Sequence, residues 1–198
     1  MGQYLSRLSK IVKRGKIISV EPIPSNIIAL NFMKSILRIK NAIIINKAIA
    51  EKPGSAIITI PKMSGIPIST QASFIENLTL KESEKEKIEV ETTTIDKIVD
   101  SLHLHKINFI KVDTEGFDSI ALKSGANSIR KFMPLLKVEG SCFKPEMNWL
   151  FDLGYKAFKF KCNRVVLINN NDDNIKYKGD TYLSSKEQLD RILKTFNT

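Results

Sequence analysis

Residues 108–126 read NFIKVDTEGFDSIALKSGA, and this stretch decides the fold. The apolar run Phe109–Val112 is short enough to be a buried strand, and it ends abruptly in Asp113-Thr114-Glu115-Gly116. Phe117 to Ser124 then has the composition of a helix, with Gly125 placed to terminate it. A strand that empties into an acidic, glycine-containing turn and then a helix is the unit of open α/β sheets. Such sheets bind ligands outside the carboxyl ends of their strands. Asp113 and Glu115 are two residues apart, so in extended geometry they point the same way. One can orient a cofactor amine while the other acts as a base, or both can hold a divalent cation; either can also cap the following helix.

Outward from this segment, short apolar runs alternate with stretches of helical period, which predicts β-α units on a largely parallel sheet in a single domain, residues 1–198. Toward the N-terminus, Ile17–Val20 is a strand, and Ser25 caps a helix through about Arg38 with Ile28, Phe32, Ile36 and Ile39 near one face. Ala42–Ile45, Ala56–Ile60 and Ile88–Thr92 are further strands, with Lys62 to Lys81 an irregular surface excursion. Thr93 and Asp96, at capping-box spacing, open a helix through about Leu104. Toward the C-terminus come a strand at Leu135–Val138, a helix at Met147–Leu153 stopped by Gly154, and strands at Arg164–Ile168 and Thr181–Leu183. A last helix starts near Lys186, capped by Ser185, with Leu189, Ile192 and Leu193 as its apolar side.

Composition removes several function classes. No apolar run approaches the roughly 18 to 20 residues that span a bilayer, and no secretory leader pattern opens the chain, which points to a cytoplasmic protein. Cys142 and Cys162 are far apart, which suggests reduced thiols rather than a zinc site or a disulfide framework. His103 and His105 sit near a predicted helix end, where the dipole favours an imidazolium, and they do not form a metal pattern. The net charge of +10 invites nucleic-acid binding, but the lysines are spread along the chain and the densest charge run, KESEKEKIEVE (81–91), alternates in sign as a solvated face does.

Three predicted strands end in acids: Glu21, Asp113 and Glu139. Glu21 directly follows an apolar strand, where a carboxylate can accept two hydrogen bonds from the ribose hydroxyls of a nucleotide-like cofactor. Pro22 and Pro24 stiffen the loop around it. The plainer alternative is a surface glutamate before a turn.

The ordered pieces ISVEPIPSN (18–26), NKAIAEKPG (46–54), TTTIDKI (92–98), NFIKVDTEGFDSIALKSGA (108–126), PLLKVEG (134–140) and LGYKAF (153–158) resemble the FkbM family of S-adenosylmethionine-dependent methyltransferases. The resemblance implies a Rossmann-like class I methyltransferase sheet with helices on both faces, and O-methylation of a hydroxyl on a small molecule or glycan. It implies that Glu21 binds the cofactor ribose beside Pro22, that Asn46, Lys47 and Ala48 lie near the adenine, and that Asp113, with Glu115 beside it, stands by the methyl group, either acid being the candidate base. Gly2-Gln3-Tyr4 falls where the family's glycine-rich cofactor loop runs into a helix, so Gly2 joins the cofactor set. On that alignment the first strand and most of the loop are missing from the chain.

Two other readings stay open on the sequence: an inactive fragment or interaction module that keeps part of the fold, and a myristoylated peripheral membrane protein. The second rests on Met1-Gly2 with Ser6 and the following basic residues.

Overall fold

Ile17–Val20 (β1) and Ala42–Ile45 (β2) lie side by side and parallel, in register from Ile17↔Ala42 to Val20↔Ile45, and the helices before and after β1 pack against this pair. The computed structural model describes residues 2–63, 66–67, 81, 85–114, 116–169 and 179–196. They divide into two compact units, Met1–Thr94 and Ile95–Thr198.

In the first unit, α1 (Gln3–Ile11) precedes β1, and α2 (Pro24–Ile36) connects β1 to β2. Leu5 of α1, Leu30 of α2, Ile39 and Ala42 form the buried cluster, with Ile17, Met33 and Ile44 against it. Gly2 caps α1 in the left-handed region, φ 78°, where a side chain is strained. It also lies against α2: a β-carbon there would fall 2.0 Å from Met33 Cε. The face of α2 is the reverse of the one expected. Leu30 and Asn26 are buried, while Ile28, Phe32 and Ile36 point to solvent, and of the expected set only Ile39, beyond the helix, is buried. The helix is apolar on both sides, so period alone did not choose the buried one. Ser25 does not cap it; the first turn is tied down by the Glu21 side chain instead.

β3 (Ala48–Ile49), β4 (Gly54–Met63), β5 (Ile66–Pro67) and β6 (Lys85–Thr93) form a second sheet, ordered β3-β6-β4-β5. β4 and β6 are antiparallel from Gly54↔Thr92 to Pro61↔Lys85, and both run longer than the sequence suggested. The expected excursion from Lys62 begins instead with β4 continuing to Met63 and pairing with 66–67; most of the remainder lies outside the described residues.

The second unit holds α3 (Ile95–Ser101), β7 (Phe109–Lys111), α4 (Asp118–Lys123), α5 (Ala126–Phe132), β8 (Leu135–Glu139), a 3₁₀ turn at Pro145–Met147, α6 (Asn148–Asp152), β9 (Lys156–Lys161), β10 (Arg164–Ile168), β11 (Asp180–Ser184) and α7 (Lys186–Phe196). Its sheet is ordered β10-β9-β11-β8-β7, with β7 and β8 parallel and the other pairs antiparallel. The two larger sheets are therefore mixed rather than largely parallel, and only the β1–β2 pair is purely parallel. β9 and α5 are additions to the expected elements. α7 begins as expected after Ser185, and Leu189, Ile192 and Leu193 pack on Phe158 and Val165. Asp96 does not make a capping box in its own helix. Its carboxylate accepts from Asn127 N–H, Ser128 N–H and Ser128 Oγ, so it caps α5, while Ser124 Oγ accepts from Ile95 N–H at the start of α3.

Candidate functional site

Parallel strands leave their last carbonyls and the next helix's N–H groups at their carboxyl ends, so a ligand would be received beyond β1 and β2 in the first unit and, taken separately, beyond β7 and β8 in the second. Glu21 is the residue after β1. Its Oε1 accepts from Ile23 N–H (3.0 Å) and from Asn26 Nδ2 (3.1 Å), the latter on a buried side chain of α2. Oε2 has no hydrogen-bond partner among the described residues. The glutamate is thus both a turn brace and a fixed acceptor with one oxygen in reserve.

Asn46, the residue after β2, meets the same loop. With its amide oriented to satisfy both ends, its nitrogen donates to the carbonyls of Glu21 (3.3 Å) and Pro22 (3.2 Å). Glu21, Pro22 and Asn46 are therefore brought together at one strand edge. Lys47 turns to Glu91 Oε2 at 2.8 Å, and that pairing holds the Glu91 carboxyl below its ordinary range. The Ala48 side chain is buried with Ile58 and Val90, so it contributes a packed wall. Gly2 is the cap of α1 against α2.

In the second unit, Asp113 follows β7 and Glu139 ends β8. Lys111 Nζ donates to Asp113 Oδ2, and the Asp113 and Glu139 side chains are hydrogen-bonded. Partial burial opposes the charge on Asp113. The Lys111 hydrogen bond and charge, the Glu139 hydrogen bond and the charge of Lys137 outweigh it, and hold the carboxyl below the ordinary aspartate range. Lys137, 3% exposed, is paired with Asp180 Oδ2 at 2.6 Å and lies over the Tyr182 ring. Glu115 lies outside the described residues.

Asp118 is the residue that reasoning from sequence passed over. At the first position of α4 and 4% exposed, it accepts from Thr114 N–H (3.0 Å) and Thr114 Oγ1 (2.7 Å) on one oxygen, and from Glu139 N–H (3.2 Å) on the other. It fastens the turn carrying Asp113 to the strand end carrying Glu139. Its signal was the second aspartate of the string KVDTEGFD, five residues after the first. His103 stands where α3 stops, in the left-handed region at φ 48°, and no metal-binding group of acids, histidines or cysteines occurs among the described residues.

The pattern of the Methyltransferase FkbM domain matches residues 2–184. The chain belongs to the FkbM methyltransferase family. Its fold is similar to the crystal structure of Methyltransferase FkbM from Methylobacillus flagellatus KT, at 14% identity and a TM-score of 0.55. That match covers 92% of this chain and 40% of the crystallised one, so this FkbM chain spans well under half of that protein. No curated protein matches it.

Proposed function

We propose that this FkbM-family chain binds S-adenosylmethionine and supports transfer of its methyl group to a hydroxyl of a small molecule or glycan. The observation that carries the reading is Glu21: a carboxylate at the end of a parallel strand, held rigidly through Oε1, with Oε2 open to a ribose hydroxyl. A diol donor suits such an acceptor, and Asn46 fixes the loop that presents it. Lys47 and Ala48 flank the adenine side. The cofactor supplies a methyl group on a positive sulfonium, already a strong electrophile.

The protein's part is alignment and charge. Asp113, kept ionised, suits the binding of a cationic amine or the orienting of a hydroxyl. Its low pKa makes it the weaker base, so we assign removal of the acceptor's proton to Glu115. The single-domain reading is supported by the family match, which runs through both compact units.

Calorimetry with S-adenosylmethionine tests the site. Glu21→Ala should weaken binding by about 10- to 100-fold, the loss of charge-assisted hydrogen bonds of roughly 1.5–3 kcal/mol. Glu21→Gln should weaken it less. Equal affinity in all three proteins would remove Glu21 from the site.

A further inference from the structure

The acids that would offset the lysines and arginines are not spread evenly. Residues 1–50 hold nine of the 31 but only one of the 21 acids, so this quarter of the chain carries +8 of the net +10. Charge asymmetry of this size marks a surface for an anionic partner.

The fold concentrates that charge further. α1 and α2 both end at the amino-terminal edge of the β1–β2 pair, and their following loops are tied together: Asn41 Nδ2 donates to Val12 O (2.5 Å) and Ile17 N–H to Asn41 O (2.8 Å). Lys13, Arg14 and Lys16 on one loop, and Arg38 and Lys40 on the other, are exposed along this edge, and none forms an ion pair among the described residues. Large apolar side chains stand beside them. Ile28, Phe32 and Ile36 are 71%, 68% and 62% exposed and four residues apart, a stripe along α2 that runs down to the basic edge. Ile11, 73% exposed, is the last residue of α1 at the same edge.

A nucleic acid would use the cations but leave the stripe in water. A second copy would cover the stripe but set one basic edge against another. An anionic lipid surface satisfies both, since cations meet headgroups while apolar side chains enter the boundary beneath them. We propose that the α1–α2 face docks this protein on an anionic membrane surface, with the α2 stripe inserted and the loops at 12–16 and 37–41 on the headgroups. Glu21 and Asn46 lie at the opposite ends of the same strands, so docking leaves them open. No lipid chain on Gly2 is required.

The test is sedimentation of the unacylated 198-residue chain with vesicles of phosphatidylcholine alone and of an equimolar phosphatidylcholine–phosphatidylglycerol mixture. We expect pelleting with the mixture only, weakened by salt. Ile28→Asn/Phe32→Asn/Ile36→Asn and Lys13→Glu/Lys16→Glu/Arg38→Glu should each lower it by about tenfold or more. All six side chains are at least partly in solvent, so circular dichroism should match the parent. Equal binding to neutral vesicles, full binding by both variants, or no binding by the parent overturns the proposal. So does a concentration-dependent dimer, or retention on single-stranded nucleic acid, without vesicle binding.

Discussion

At the scale of single residues, Asp118 organises more of the site than either acid that would face a ligand. Its two oxygens collect three donors from two segments, the turn after β7 and the end of β8. Asp118→Ala leaves those donors without their acceptor in a buried place, and should lower stability by about 3–5 kcal/mol in urea unfolding. Asp118→Asn tests the geometry more finely. An amide can offer its oxygen to Thr114, but its NH₂ then faces the N–H of Glu139, donor against donor. Asparagine should therefore recover only part of the loss, and full recovery would mean that the contact with Glu139 carries little. Cys142 shows the opposite case of a buried polar residue. Burial pushes its thiol up to about 12, so it packs as a small apolar group and stays protonated at neutral pH.

At the scale of elements, what could be read from the chain divides by whether one periodicity was present. β1, β2, β7, β8 and β10 fall where short apolar runs predicted them, because such a run between turn residues has little else to be. α2 has two apolar sides, and its inward one was settled by partners outside the helix, Leu5 of α1 and Ile39 and Ala42 beyond its end. β9, Lys156–Lys161, alternates lysine with Ala157, Phe158 and Phe160, and this reads as strand only once β11 and β10 are known to flank it. The site followed the same rule. Glu21, Asp113 and Glu139 were legible as strand-end acids, whereas their couplings to Asn26, Asn46 and Asp118 depend on how loops close. Substitution separates the two sides of α2. Leu30→Ala, in the core, should cost about 2–5 kcal/mol, and Phe32→Ser, on the exposed face, within about 0.5 kcal/mol. Equal losses in a thermal or urea melt would mean that the outer face is covered in solution.

At the scale of the whole molecule, the excess of basic over acidic residues makes the few well-placed carboxylates matter to acid stability. The Asp113 carboxyl is held below its ordinary range, so the folded state binds fewer protons there than the unfolded chain. Its contribution is complete above the unfolded value, near pH 4, and is lost as pH falls through the lowered folded one. Over the same interval the other acids are neutralised, and a chain already at +10 becomes more positive and repels itself. The urea midpoint should therefore drop between pH 6 and pH 3. Salt should restore part of it by screening the repulsion but not the part that comes from protonating Asp113. Asp113→Asn, which cannot titrate, isolates that part. The variant should start lower than the parent at pH 6 and converge with it at pH 3. A gap that stays constant across the range would mean that the Lys111–Asp113–Glu139 cluster does not hold its charge in the folded protein, and the orienting role proposed for Asp113 would go with it.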